Sequence, residues 1–214
     1  MEKQKKVKIA FWMNLAIFVL ECIGGYLYFI RSGWNFVQFY TEDSNTLALI
    51  TCLFLAVYEY QMWKGQRSVL PGWIQELKYI ATVCLTLTFL VVIFILIPLQ
   101  GGIGSAYFFL INGSMLYHHL ICPILAFVSF LWFDPMEKRS RREIGVALLP
   151  TLVYALVLVI LNLAKLVDGP YPFLKVYQQP VYMSCIWVAV ILGAAYAIAA
   201  ILSKMVNYPD LRIR

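Results

Sequence analysis

The chain has 214 residues, of which 62% are hydrophobic and 13% charged, with a mean hydropathy of +0.78. That is more apolar surface than a soluble domain of this length can hide, so the composition excludes a soluble globular fold and calls for an integral membrane protein. The net charge of +6 needs no nucleic acid to explain it, because basic residues that flank membrane spans and meet anionic headgroups produce such an excess.

Windows of about 20 apolar residues predict six spans, at 9–30, 36–60, 77–97, 106–132, 144–165 and 181–202. The runs are apolar on every face rather than alternating, which argues against a membrane β-barrel and leaves helices to satisfy the backbone in lipid. With short connections, the expectation is one all-α bundle of six transmembrane helices over 1–214. Four lysines precede the first run, but that run is about twice the length of a secretion signal's apolar core and lacks a small-residue cleavage site, so it is read as helix 1. Fourteen of the seventeen Lys and Arg fall in segments on one side of the spans, which predicts that both termini are cytoplasmic in a multi-pass protein of the cell membrane.

In the first span, Gly24 and Gly25 permit close helix approach, and Glu21 shares a face with Asn14 and Gly25. A carboxylate at that depth costs several kcal/mol unless it is protonated or paired. The second span opens on Phe39, Tyr40, Thr41, Glu42, Asp43, Ser44, Asn45, Thr46, where Thr41, Ser44 and Asn45 follow helical spacing and point into the bundle. One reading is a plain helix entrance, with Glu42 and Asp43 among headgroups and the hydroxyls bonding locally to backbone. The other is a reactive cluster. The fourth span carries Asn112, Ser114, Tyr117, His118 and His119, and Pro123 should bend it just after the only two histidines of the chain. Because adjacent helical residues point about 100° apart, one histidine at most faces a given cavity squarely.

After the fourth span, Asp134 and Pro135 start a basic connection expected to be solvated. The segment 167–180, with three prolines and the run Tyr171, Pro172, Phe173, is expected to form a stiff aromatic cap at the membrane interface. Trp34, Trp63, Trp73 and Trp132 are placed as interfacial anchors. The five cysteines fall in five different spans without a C-x-x-C pair, so neither a disulfide framework nor a zinc site is expected. Two adjacent helical histidines cannot chelate one metal well, and no metal or other cofactor is implied.

A hydroxyl, an imidazole and a carboxylate are the parts of nucleophilic acyl transfer. Thr41 would attack an ester carbonyl, a histidine would take its proton with Glu21 as orienting partner, and Asn45, Ser44 or Tyr117 would donate to the oxyanion. Glu21 bonded to a histidine can equally be a structural lock between helices 1 and 4. If helix 4 starts at Ala106, the histidines lie about 10 Å deeper than Thr41, and tilt, the Pro123 bend or a later helix start must remove that offset.

Three motifs carry a resemblance. Phe39 to Asn45 resembles the threonine motif near the second helix of the androgen-induced-gene-like membrane hydrolases, His118 to Pro123 resembles that family's histidine followed by proline, and Tyr171, Pro172, Phe173, Leu174 resembles its Tyr-Pro-Phe stretch before the last helix. The resemblance implies an intramembrane threonine hydrolase of six helices acting on fatty acyl esters, with Thr41 as nucleophile. His118 lies five residues before the proline, as in animal members, and His119 four, as in bacterial relatives; His118 is taken as the base. His119, Glu21, Asp43, Ser44, Asn45, Asn112 and Tyr117 are supporting candidates, and Tyr171 and Phe173 substrate contacts. The expected partner is a membrane lipid. Two other classes stay open, a small proton-coupled transporter using Glu21 and the histidines, and a silent binding protein.

Overall fold

A computed structural model describes residues 2–208. It is all-α, and among the described residues six helices are long and apolar enough to cross a membrane. α1 (Glu2–Ser32) runs into a 3-10 segment, Gly33–Gln38, that leads back to α2 (Tyr40–Trp63). These two are antiparallel, with Gln4 donating to the Trp63 carbonyl at one end (3.2 Å) and the Tyr28 and Phe39 rings meeting at the other (6.1 Å). There follow α3, the span Gly72–Leu99; α4, the short helix Ala106–Leu110; α5, the span Leu116–Phe133; α6, the span Arg141–Leu163; and α7 (Val181–Asn207). Arg212 and Arg214, counted in the expected orientation, lie outside the described residues.

α3 forms the axis of the bundle, in contact with α2, α5 and α7. Its buried Tyr79, Val83 and Leu87 pack on Phe130 and Leu131 of α5 and on Ala195, Ala199 and Leu202 of α7. The small residues of α7 let its backbone come close enough for the Tyr79 hydroxyl to donate to the Ala199 carbonyl at 2.6 Å. Along α6 and α7, Leu152, Leu156, Ile160, Ile186, Val190 and Ile201 face outward, an arrangement that is stable where the surroundings are acyl chains.

Five predicted spans stand with shifted ends; the fourth is corrected. The run 106–132 is not one helix: α4 stops at Leu110, Gly113 takes a left-handed φ of +62°, and α5 begins only at Leu116. Asn112 accepts from the Met115 N–H through its carbonyl and so shapes the turn that Gly113 completes. An apolar run hides such a break because α4, the turn and α5 are all apolar enough to read as one window.

Wider π-helical turns occupy Val92–Leu96, Leu116–Ile121 and Ser129–Phe133. Each ends two residues before a proline, Pro98, Pro123 or Pro135. A proline has no N–H to give, and its ring pushes the preceding turn open. The second of these turns carries both histidines.

At the end of the bundle away from Thr41, four polar side chains from four elements close on one another. Asn14 donates to Glu59 (3.0 Å) and to Asp134 (2.9 Å), and its carbonyl accepts from Lys78 (2.7 Å), whose ammonium also pairs with Asp134 at 3.3 Å. Two expectations are corrected here. Lys78, counted as a loop charge, is buried inside α3, and Asp134 is buried rather than solvated because Lys78 and the Ser129 hydroxyl (2.6 Å) draw it inward. Within the segment 167–180, Tyr171, Phe173 and Leu174 turn inward and are buried against α3 and α6, while Asp168, Pro172 and Tyr177 stay exposed.

Candidate active site

Thr41 is the second residue of α2, in the first turn, where backbone N–H groups lack helical partners. Its carbonyl is gripped by two side chains of the next turn, Ser44 Oγ at 2.9 Å and Asn45 Nδ2 at 2.7 Å. These bonds fix the backbone at Thr41, and they commit the two groups that were expected to serve a developing oxyanion. The Thr41 N–H donates to the Tyr171 hydroxyl at 3.3 Å, and the same phenol lies 3.4 Å from Thr41 Oγ1. Tyr171 therefore caps the helix and touches the hydroxyl at once. Phe173 stacks on its ring with 9° between the planes, and Phe39 meets it edge-on.

The late start of α5 removes the depth offset expected from a helix beginning at Ala106. His119 becomes the fourth residue of its span and reaches Thr41, with Nε2 3.3 Å from Oγ1. Its other nitrogen, Nδ1, lies 2.7 Å from the Phe109 carbonyl of α4. A carbonyl accepts only, so neutral His119 carries its proton on Nδ1 and turns the bare Nε2 toward the Thr41 hydroxyl. A free neutral histidine side chain favours the Nε2–H tautomer; the Phe109 carbonyl selects the opposite one, which leaves Nε2 bare. No side-chain pattern announces a backbone carbonyl, so the sequence held no signal for Phe109.

His118, taken from the sequence as the partner of Thr41, points elsewhere. Its Nδ1 meets Glu42 at 3.1 Å and its Nε2 lies 3.5 Å from Glu21. Glu42 is thus buried against an imidazole rather than set among headgroups. The expected pairing of Glu21 with a histidine is present geometrically, but with the histidine that does not face Thr41. Gly24 makes this approach possible, since a Cβ there would fall on the His118 ring, 2.7 Å from Cδ2. Gly24→Ala is expected to displace His118 and to lower stability by about 1–3 kcal/mol, measured as thermal unfolding in detergent; melting like the parent would mean that α1 yields without cost.

The remaining candidates disperse. Asp43 is exposed on the other face of α2, beside Val37 and Pro150. Tyr117, on α5, packs against the apolar cluster that holds Ile17 of α1 and Cys122, and Asn112 belongs to the turn before α5. Two polar residues that the sequence reading passed over do join the site. Thr88 donates to Ser44 Oγ at 3.1 Å, the Ser44 proton being given to the Thr41 carbonyl, and Thr151 bonds the Tyr40 hydroxyl at 2.7 Å. A threonine inside an apolar helix was the available signal for both.

Thr41, Thr88, Thr151, Tyr154 and Tyr171 lie along an otherwise apolar chamber of about 60 Å³ between α3, α6 and α7, walled by Leu87, Val91, Phe173, Trp187 and Ile191. Burial pushes the Tyr171 phenol up to about 12, which keeps it protonated and able to donate at neutral pH. Its share of stability is fully present below about pH 10, the ordinary tyrosine value, and is lost as pH rises through about 12. All five cysteines are free, and among the described residues no group of three or more His, Cys, Asp or Glu side chains is placed to hold a metal ion. No family model, curated protein or solved structure matches the chain.

Proposed function

We propose that this six-helix protein is an intramembrane hydrolase that cleaves a fatty acyl ester through Thr41, with His119 as the base. The observation that carries the reading is the chain of contacts Phe109 carbonyl to His119 to Thr41, 2.7 Å and 3.3 Å long, with the hydroxyl opening on an apolar chamber. It has the logic of a nucleophile activated by an imidazole that a third group orients. Support also comes from the three motifs of the resemblance, Phe39 to Asn45, His118 to Pro123 and Tyr171 to Leu174, which contribute Thr41, His119 and Tyr171 to one place. His119 is the histidine four residues before the proline, the spacing of the bacterial relatives.

In the first step Thr41 Oγ1 bonds to the ester carbonyl carbon while its proton passes to His119 Nε2. The tetrahedral adduct then expels the alcohol, which takes that proton, and an acyl-threonine remains. Water attacks the acyl carbon, gives its proton to His119, and releases the fatty acid as the proton returns to Thr41. The Tyr171 hydroxyl, 3.4 Å from Thr41 Oγ1, is the side chain assigned to donate to the developing oxyanion. Tyr171→Phe is expected to lower kcat by about 10- to 100-fold with little change in KM; a parent-like kcat would remove the phenol from this role.

The acyl chain enters sideways between α6 and α7, whose outer faces are apolar. The excess of Lys and Arg toward the opposite end supports an orientation with the Thr41 end extracytoplasmic. The test is hydrolysis of a fluorogenic long-chain ester by the protein in lipid nanodiscs. Activity that falls to background in Thr41→Ala supports the reading, and activity equal to the parent in that variant ends it.

A further inference from the structure

A second cavity, of about 370 Å³, lies behind the reactive pair between α1, the 3-10 segment and α2. Thr41 and His119 do not line it. Its base is Glu21, Glu42, Asn45 and His118, and its mouth is ringed by Tyr26, Phe29, Trp34 and Phe36. Glu21 is 1% exposed and lies beside the Cys122 thiol, with His118 Nε2 3.5 Å from Oε2; among the described residues its oxygens make no shorter bond to a nitrogen or oxygen donor, and Asn45 Oδ1 has no hydrogen-bond partner. Each of these oxygens is an acceptor. A buried carboxylate with only a long contact to an imidazole and a weak thiol donor is costly, and a group that brings positive charge or N–H and O–H donors satisfies it better.

The charge balance points the same way. Two carboxylates face one imidazole, and among the described residues no Lys or Arg lines the cavity, so His118 is the one basic side chain set against them there. A multivalent metal ion suits the site poorly, because the two nitrogens of His118 face different carboxylates and no set of ligands converges. The mouth favours a softer cation. Phe29 and Trp34 stand edge to face at 5.5 Å, and Phe36 closes on Trp34 at 6.0 Å and on Phe29 at 6.5 Å, so the three rings pack on one another and give the mouth a continuous aromatic rim. Aromatic walls over buried acceptors are the recognition chemistry of substituted ammonium groups, whose diffuse charge the rings attract and whose methyls they cover.

We infer that this cavity is a binding site for an organic ammonium group, with Glu21 supplying the countercharge and the rings of Phe29, Trp34 and Phe36 the walls. The group is carried either by a free amine or by a lipid headgroup. The inference does not depend on the hydrolase reading, since the two cavities are lined by different residues apart from the backbone turn they share at 41–42.

The test is equilibrium dialysis of radiolabelled choline against the full-length protein in a nonionic detergent at constant ionic strength. Saturable binding that sodium chloride does not displace, that weakens at least tenfold in Glu21→Gln and that survives in Thr41→Ala is the expected result. Trp34→Ala provides a second readout if Glu21→Gln fails to fold, because Trp34 is 76% exposed and not part of the packed core; it too should weaken binding. Absence of saturable choline binding to the parent, or parent-like affinity in the folded variants, overturns the inference. Repeating the measurement in nanodiscs separates the sources. Binding lost in phosphatidylcholine discs but kept in phosphatidylglycerol discs identifies a lipid headgroup as the occupant, and binding kept in both identifies a free amine.

Discussion

Replacing His119 by Gln is expected to lower ester hydrolysis by about three to four orders of magnitude, whereas His118→Gln leaves most of the activity. The two residues are neighbours in sequence and equally buried, so no argument from depth or composition separates them. Geometry does. His119 Nε2 lies 3.3 Å from Thr41 Oγ1 with its other nitrogen held by the Phe109 carbonyl, while His118 is enclosed by Glu42 and Glu21. Thr41→Ala should cost as much as His119→Gln, and the double variant no more than either, because a nucleophile without its base and a base without its nucleophile fail at the same step. Steady-state kinetics on the four proteins, each shown to be folded by its elution volume and melting curve, checks this. Additive losses would mean that the two side chains act separately.

The largest expected effect on stability lies at the other end of α2, about 27 Å along the helix axis from Thr41 at ~1.5 Å per residue. Lys78→Met removes the cation that Asn14 and Asp134 surround, and it leaves the Asp134 and Glu59 carboxylates buried together. Breaking a buried pair from one side costs about 3–5 kcal/mol, whereas exchanging both partners for apolar groups of similar volume is often close to neutral. Lys78→Met should therefore melt well below the parent, and Lys78→Met with Asp134→Leu should recover part of the loss. Because this network does not touch the Thr41 end, the folded fraction of Lys78→Met should hydrolyse ester at the parent rate. A melting point unchanged by Lys78→Met would show that the bundle does not draw its stability from this cluster.

The spans were legible because the bilayer sets one length for all of them, and a run of about 20 apolar residues has few other uses. The inward face of α2 was legible as well, since Thr41, Ser44 and Asn45 recur at helical spacing in a helix that is otherwise apolar. What the residues could not reveal is what depends on local departures from a uniform helix. The turn at Asn112 and Gly113 shortens the fourth span by ten residues at its start, and that shift alone brings a histidine level with Thr41. Both histidines then sit in the π-helical turn over Leu116–Ile121, and of the two it is His119 that meets the hydroxyl. Lys78 and Asp134 look like loop charges by position, and their partners come from α1 and α2, too distant in sequence for any pattern to join them. The phenol of Tyr171 arrives from a segment that reads as surface loop, yet its stacked neighbour Phe173 carries it into the bundle.

The most direct measurement is to treat the detergent-solubilised protein with a long-chain fluorophosphonate and locate the adduct by mass spectrometry. The account predicts a phosphonyl group on Thr41, absent after Thr41→Ala, reduced to background by His119→Gln and retained in His118→Gln. Modification at another residue, or labelling that persists at the parent rate in Thr41→Ala, would contradict it.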